Sequence, residues 1–400
     1  MEQETANGYS SKNFSLAIVV IFFTMFASSM ASVSPVSFLL KNLSGTGDAF
    51  TVLIAALTSI SSVAVISGNF SGGFLAHRSG NKKVIAAGSS ILAFSLFGYM
   101  LFANVFWILA VFFVQMFSIS LFQPAFTALV ASTSELCSRG KAFGHFYLWM
   151  IGPSIPAPFV GGLLVDNLGL QFSFIAAGMV SLVALIGCFR LLTVPNAPKS
   201  PDEFHAMEKE ETTSMSLVNV LFVFGILSLF AGFSTGLLLP LNRLYPIEIL
   251  HANATELGLV FSIGSGLATA LVQIPGGMLA DRFGRKRLVL LSVLGAPFVV
   301  AMAYTSSLTQ FILAATGVFA FGNIGSPAYS AWQMELVPSS KRAFASGLIN
   351  GLSGVGMFVG PLVSIWLWQF KPNVSIAFFT AALSWIIQIP PILMLRETRL

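Results

Sequence analysis

The sequence predicts an all-α membrane protein with twelve transmembrane helices in two pseudo-symmetric six-helix bundles. Three observations support this fold class: the composition, the lengths of the uncharged runs, and a basic turn that occurs twice. Of the 400 residues, 56% are hydrophobic and only 9% are charged, whereas a soluble domain carries about 25% charged residues. Most of the surface must therefore face lipid, and the net charge of +5 does not indicate a nucleic-acid partner.

The uncharged runs between ionised residues are long enough to cross a bilayer. A spanning helix needs about 20 residues, and a helix satisfies its own backbone hydrogen bonds, as lipid requires. The runs are 13–40, 49–77, 84–134, 142–165, 167–189, 212–242, 257–280, 288–334, 343–370 and 372–395. The runs 84–134 and 288–334 fit two helices each, with breaks near Ala103 and Ser306. The sequence therefore predicts twelve spans, which are numbered 1 to 12 below.

The basic residues predict the orientation of these spans. If both termini lie on one side, all but three of the 20 Lys and Arg residues lie on that side too. The exceptions are Lys41, Arg243 and Lys371. Because cytoplasmic loops are enriched in Lys and Arg, we expect a multi-pass plasma-membrane protein with both termini in the cytoplasm. Residues 1–12 lack a signal-peptide pattern, so the first run is expected to remain as a span.

The polar segments predict the domain boundaries. The stretch 195–215 contains Pro195, Pro198 and Pro201 with a cluster of acidic residues, which is typical of a solvated linker. We therefore expect a cytoplasmic tail at 1–12, a six-helix bundle at 13–194, a cytoplasmic linker at 195–215 and a second bundle at 216–396.

A basic turn between two apolar runs occurs twice, half a chain apart, which indicates a duplicated chain. The second copy begins at Gly277 and reads GMLADRFGRK; the first begins at Gly73 and reads GFLAHRSGNK. This stretch resembles the signature loop of the major facilitator superfamily, G-x-L-A-D-R-x-G-R-K/R. The first copy differs at His77, where the family has Asp, and at Asn81, where it usually has Arg. The resemblance implies the major facilitator fold.

The resemblance also implies a charged network at the cytoplasmic ends of the spans. In the sugar-porter branch, the Glu of an E-x6-R stretch pairs with the signature-loop Arg; here the stretch is Glu335 to Arg342, and the implied partner is Arg282. Asp281 is implied to face the start of span 5, and His77 the start of span 11. The implied cytoplasmic gate consists of Gly73, His77, Arg78, Gly80, Lys82, Glu135, Arg139, Gly277, Asp281, Arg282, Gly284, Arg285, Lys286, Glu335 and Arg342.

Prolines and glycines predict bending helices at the interface between the two bundles. Span 5 resembles the family's antiporter motif, G-x-x-x-G-P-x-x-G-G, with Ala157 in place of the Gly before the Pro. The predicted kink residues are Pro153, Pro158, Gly161, Gly162, Gly356, Gly360 and Pro361. Proline interrupts the helical hydrogen bonds, and small residues allow helices to approach closely. A static kink filled by small-residue packing is the alternative.

The resemblance implies an alternating-access carrier with its substrate between spans 1, 4, 7 and 10. The candidate lining residues are Ser28, Ser32, Gln115, Gln123, Phe233, Asn323, Tyr329 and Trp332. Drug:proton antiporters of the superfamily carry R-x-x-Q-G in span 4, where this chain has Phe112 at the Arg position. No Asp, Glu, Lys or Arg lies at mid-membrane in the predicted spans, which argues for a neutral or lipophilic solute.

The sequence is compatible with three functions. The first is a secondary transporter that exports small neutral or lipophilic compounds. The second is an importer of a sugar or metabolite, which the Glu335–Arg342 spacing favours. The third is a non-transporting membrane protein, although the spans lack the clustered His, Asp, Glu or Cys of an enzyme. The expected partners are lipid and a small molecule, with or without a coupled proton or other ion; a monomer is expected, and no cofactor, metal or enzymatic activity.

Overall fold

The computed structural model describes residues 2–133, 149–193, 217–337, 342–370, 374–395 and 397. Almost all of these residues lie in helices, and no strand occurs among them. Nine helices of the described chain are long and apolar enough to cross a membrane. Spans 3, 5 and 9 appear in the described residues as shorter or interrupted helices.

The helices of the first half follow the predicted runs. Span 1 consists of α1 (Glu2–Ser32) and α2 (Ser34–Ser44), which meet at Val33 beside Pro35. The next spans are α3 (Asp48–Ser79), α4 (Asn81–Gly98) and α5 (Val105–Thr133). The described part of span 5 contains a 3₁₀ turn at Gly152–Ser154 and α6 (Pro156–Leu168), and span 6 is α7 (Leu170–Thr193).

The helices of the second half are more often interrupted. Span 7 is α8 (Leu217–Leu244) with a π-helical turn at Tyr245–Ile249. Span 8 runs through α9 (Ala254–Leu259), a π-helical segment (Val260–Leu267) and α10 (Ala268–Phe283). The remaining helices are α11 (Arg285–Ser292) and α12 (Ala296–Met302) in span 9, α13 (Leu308–Ile324) and α14 (Ser326–Leu336) in span 10, α15 (Arg342–Trp368) in span 11, and α16 (Ser375–Ile386) and α17 (Ile389–Met394) in span 12.

The chain divides into two compact units. Unit 1 comprises Met1–Gly45, Val63–Asp202 and Asn253–Ser262; unit 2 comprises Thr46–Ser62, Glu203–Ala252 and Ile263–Leu400. Apart from the segments 46–62 and 253–262, the units follow the two halves of the sequence. Each has its own buried apolar core, around Ile21, Phe122 and Cys188 in unit 1 and around Phe224, Trp332 and Ile392 in unit 2. The bundle boundaries at 194 and 216 stay a prediction, because 194–216 lies outside the described residues.

Close glycine contacts show the duplication in three dimensions. Gly72 of α3 lies against the backbone of Leu121 in α5, with no room for a Cβ. Gly276 of α10 lies in the same way against the backbone of Ile324 in α13. The neighbouring glycines Gly73 and Gly277 have open space around the position of a Cβ. The first glycine of each GG pair therefore holds two helices in backbone contact, and the second does not.

We expect Gly72→Ala and Gly276→Ala to destabilise the protein by about 1–3 kcal/mol, because an added methyl group overpacks a backbone contact. Gly73→Ala and Gly277→Ala are the matched controls, and they should leave stability unchanged or slightly raised. The measurement is thermal unfolding of the purified protein in detergent. Equal melting temperatures for the two pairs of variants would contradict the contact.

Candidate functional site: polar side chains in the spans and charges at their ends

A buried hydrogen-bonded group in unit 1 contains two of the candidate lining residues. Gln115 of α5 is fully buried. Its Oε1 accepts from the Tyr99 hydroxyl at 2.5 Å, and its Nε2 donates to Ser28 Oγ at 3.1 Å and to the Ser28 carbonyl at 3.2 Å. Tyr99 also stacks on Phe174, with ring centroids 4.6 Å apart. In this conformation the Gln115 amide links α5 to α1 and to the end of α4, and we call Ser28, Tyr99 and Gln115 the Gln115 group.

A second set of polar contacts lies in unit 2 and is more exposed. The Tyr329 hydroxyl is 2.7 Å from Ser228 Oγ. Asn323 Nδ2 donates to Thr269 Oγ1 at 3.3 Å and to the Phe319 carbonyl at 2.8 Å, and Ser326 Oγ lies 3.5 Å from Gln273 Oε1. Residues Thr269, Gln273, Asn323, Ser326 and Tyr329 are all only partly buried, and we call them the polar row. Such uncharged groups can hold a neutral solute through hydrogen bonds.

The other lining candidates occupy two kinds of position. Trp332 is fully buried in the core of unit 2, with its ring edge-on to Phe224 at a centroid distance of 5.7 Å. Ser32, Gln123 and Phe233 are partly buried. The structure therefore assigns packing to Trp332 in this conformation, and the role of all eight residues as a substrate cavity stays a prediction.

Both signature turns reverse the chain at a glycine with positive φ. Gly80 has a φ of 89° and Gly284 of 97°, a region that residues with a side chain rarely adopt. His77 and Arg78 are exposed beside the first turn, and Lys82 after it is partly buried. Because the two glycines occupy equivalent positions of the two copies, the structure repeats the turn as well as its sequence.

Charged side chains bond the two residues that follow Gly284 in the second turn. Arg285, which is 9% exposed, donates from Nε to Glu335 Oε1 at 3.2 Å. Glu397 Oε1 accepts from the Lys286 backbone N–H at 3.1 Å, and Lys286 Nζ donates to the carbonyls of Leu393 and Leu395, both at 2.8 Å. The helix dipoles stabilise both the carboxylate at the start of α11 and the ammonium group at the end of α17. Leu393, Leu395 and Glu397 are thereby bonded to a residue of the turn.

Glu335 has a partner that the sequence did not imply. The Glu335 carboxylate contacts Arg285, whereas Arg282 is exposed with its guanidinium 5.5 Å from the Phe283 ring centroid. The chain reverses at Gly284, so Arg285 opens α11, which packs against α14, and Arg282 lies in the last turn of α10. Glu135, Arg139 and the side chains of Asp281 and Arg342 lie outside the described residues, so the rest of the implied gate stays a prediction.

The predicted kink residues lie in a 3₁₀ turn, inside helices and at close backbone contacts, and bending at them stays a prediction. Pro153 is buried in the 3₁₀ turn before α6, while Pro158 and Pro361 lie inside α6 and α15. Gly161 lies against the backbone of Met30, and Gly162 against that of Ala254. Gly356 and Gly360 lie against the backbone of α8, at Leu229 and Gly236 respectively. Each of the two helices therefore packs on the first helix of its own sequence half.

Several polar residues with clear contacts were missed by the sequence reasoning. Tyr99, Ser228 and Thr269 are single polar residues in apolar stretches and give no pattern in one sequence. Asp166 gives a signal, because it is the ionised residue that separates the runs 142–165 and 167–189. Its carboxylate bonds the start of α9. Among the described residues, no group of three or more His, Cys, Asp or Glu could hold a metal ion.

Comparison with known proteins gives consistent matches. The family model described as Major Facilitator Superfamily matches residues 16–241 and 224–399. The proton-coupled antiporter flippase LtaA of Staphylococcus aureus is 26% identical, over 97% of this chain and 96% of LtaA. In sequence, this similarity extends through both halves.

Two solved transporter structures share the fold. The xylose transporter XylE of E. coli, in an inward-open conformation, has a TM-score of 0.73 at 16% identity, covering 96% of this chain and 97% of XylE. The nucleoside transporter NupG has a TM-score of 0.70 at 14% identity, covering 95% of this chain and 99% of NupG. The prediction of an all-α membrane protein with the major facilitator fold is confirmed.

We expect Arg285→Gln to lower stability by about 1–3 kcal/mol, because it removes a charged hydrogen bond to the Glu335 carboxylate in a partly buried contact. Arg287→Gln is the matched control, since Arg287 lies two positions further along α11 and is exposed. Thermal unfolding of the purified protein compares the two variants. A loss of the same size in both would mean that only the net charge of the turn matters.

Proposed function

Because the chain belongs to the major facilitator superfamily, we propose that it is a secondary active transporter that exports small neutral or lipophilic compounds by alternating access. The family membership makes it a multi-pass membrane transporter. The substrate class, the direction and the energy source go beyond that membership.

The position of the charged side chains carries the proposal on substrate class. In the nine described spans, Asp, Glu, Lys and Arg occur only within about two turns of a span end. The polar groups between the ends are hydroxyls and amides, as in the Gln115 group and the polar row. A charged solute inside the membrane needs a charged partner, because an unpaired buried ion is costly. A neutral or lipophilic solute needs only such hydroxyls, amides and apolar surface.

The relatives support the same choice over the alternatives. LtaA, which is named a proton-coupled antiporter flippase, resembles this chain along nearly its whole length. That similarity supports a lipophilic substrate and exchange with protons. Import of a sugar or metabolite is the second candidate, but XylE and NupG are under 20% identical and share only the fold. A non-transporting role has no relative in its favour among these proteins.

The proposal includes an orientation in the plasma membrane. Lys and Arg are concentrated on the side of the two signature turns and both termini, which we place in the cytoplasm by the positive-inside rule. The turns after α2, α6 and α8 then lie outside. The chain is proposed to act as a monomer with its substrate between spans 1, 4, 7 and 10.

Purified protein reconstituted in liposomes tests the proposed function. We expect it to move an NBD-labelled neutral glycolipid between leaflets, measured by dithionite quenching, and to do so faster across an imposed proton gradient. Radiolabelled xylose and uridine should not accumulate in the same vesicles. Accumulation of either without movement of the glycolipid would favour the importer, and inactivity toward all three probes would count against transport of these classes.

We expect Tyr329→Phe to raise the KM for the glycolipid about two- to tenfold, the effect of losing one uncharged hydrogen bond. The melting temperature should change little, because the ring and its packing on Phe224 remain. Ser384→Ala is the control: its hydroxyl lies 2.6 Å from Ser234 Oγ in a buried pair outside the polar row. If both variants keep the wild-type KM, the polar row does not contact this substrate.

A further inference from the structure

A carboxylate at the end of α6 bonds the start of α9. Asp166 Oδ2 accepts from the Thr255 backbone N–H at 2.7 Å and from the Thr255 hydroxyl at 2.6 Å, and its Oδ1 accepts from the Ala254 N–H at 3.2 Å. Asn253 Oδ1 accepts from the next amide, that of Glu256, at 2.8 Å. The first N–H groups of a helix have no partner within it. Asp166 therefore supplies acceptors for two of them.

The contact continues along the two helices as a seam between their backbones. Gly162 of α6 lies against the backbone of Ala254, and Gly258 of α9 against the carbonyl of Pro158, with no room for a Cβ at either. Ser262 Oγ accepts from the Phe159 N–H, in the first turn of α6, at 3.1 Å. Asp166 of α6 and Ser262, in the π-helical segment that follows α9, thus each bond a backbone amide of the other helical segment. Both belong to unit 1, although α6 comes from the first half of the sequence and α9 from the second.

Unit 2 contains a matching contact. Glu248 Oε1 accepts from the Gly47 N–H at 2.8 Å, directly before α3 begins at Asp48. Ser62 Oγ of α3 donates to the Met357 carbonyl of α15 at 3.1 Å. Here too a carboxylate from one half of the sequence bonds the start of a helix from the other half, and a serine bonds the two helices further along.

We propose that Asp166 is a positioning residue of the transport cycle. Its carboxylate latches α6 to α9 at the outer end of the protein, and it has to release Ala254 and Thr255 before the outer entrance opens. This inference rests on the proposed function and orientation, which place the turns after α6 and α8 outside. In alternating access the two halves of a transporter move against each other around a fixed site. Segment 253–262 must then leave α6 in each cycle.

The chemistry of the seam suits a contact that forms and breaks repeatedly. Asp166 and its bonds to Thr255 are exposed, so water can replace them, and interactions of exposed charges are weak. At Gly162 and Gly258 the two backbones meet with no side chain between them, so these contacts can separate without a change of rotamer. The carboxylate gives the closed arrangement a specific register, because its oxygens fit adjacent N–H groups at one helix end.

Spin-label distances in the full-length protein in liposomes test the latch. In a background with Cys137→Ser and Cys188→Ser, one pair of labels is placed outside at Leu168→Cys and Ile249→Cys, and another inside at Ser79→Cys and Phe283→Cys. All four positions are exposed. Asp166→Ala should raise the ratio of long to short outer distances about two- to fivefold, the effect of removing a carboxylate from a helix N-terminus. The ratio of long to short inner distances should fall.

Three further variants control this experiment. Asn167→Ala is the matched control, because the Asn167 amide donates to the Leu163 carbonyl of its own helix, and it should leave both distances unchanged. Asp166→Glu should restore much of the outer-closed population. Thr255→Val, which removes only the hydroxyl donor, should give a smaller shift of the same sign, and it decides the question if Asp166→Ala does not fold.

The possible outcomes separate the latch from the proposed function. If the protein moves the glycolipid but Asp166→Ala and Thr255→Val match Asn167→Ala, the latch is wrong and the function stands. A shift of the outer distances without an opposite shift of the inner distances would mean that α6 and α9 only loosen locally. That outcome also overturns the latch. Opposite shifts at the two faces support the latch, even where the wild-type protein moves none of the three probes and the proposed function fails.

Discussion

Backbone contact between helices at small residues is the interaction on which the rest of this structure depends. In lipid, helices gain little from burying apolar side chains against each other, so close packing and hydrogen bonds hold them together. Gly72 places α5, which carries Gln115, and Gly276 places α13, which carries Asn323. Because equivalent glycines make equivalent contacts in both halves, the duplication preserved the choice of helix neighbours as well as the number of helices.

The charged groups follow a second constraint, because helix ends are where unpaired backbone groups can receive them. Asp166, Glu248 and Glu397 each accept a hydrogen bond from a backbone N–H at or next to the start of a helix. Lys286 donates to carbonyls at the end of α17. These bonds agree with the helix dipoles and lie near water, where they are weak and reversible. Such bonds can favour one arrangement of the helices over another where backbone packing permits both.

The helices could be predicted from the sequence, because a long uncharged run in lipid can hardly be anything else. The breaks near Ala103 and Ser306 are confirmed, since α5 starts at Val105 and α13 at Leu308. The side-chain partners were not predictable in the same way. A helix that is apolar on all sides carries no periodic signal for the face that turns inward. The rotation of each helix about its own axis decides which face turns inward. It therefore decides that Tyr99 and Ser28 enclose Gln115 and that Arg285 bonds Glu335.

The Gln115 group of unit 1 and the polar row of unit 2 differ in how tightly their polar groups are bonded, and this difference bears on the proposed transport. The Gln115 amide is fully buried with both of its ends bonded. In the polar row, the contacts of Asn323 with Thr269 and of Ser326 with Gln273 are long, at 3.3 and 3.5 Å, and partly exposed. A solute gains more by replacing long hydrogen bonds than short buried ones, because breaking the latter leaves buried groups unsatisfied. Under the proposed function, we therefore expect unit 2 to recognise the polar part of the substrate, while the Gln115 group holds the helices of unit 1 in place.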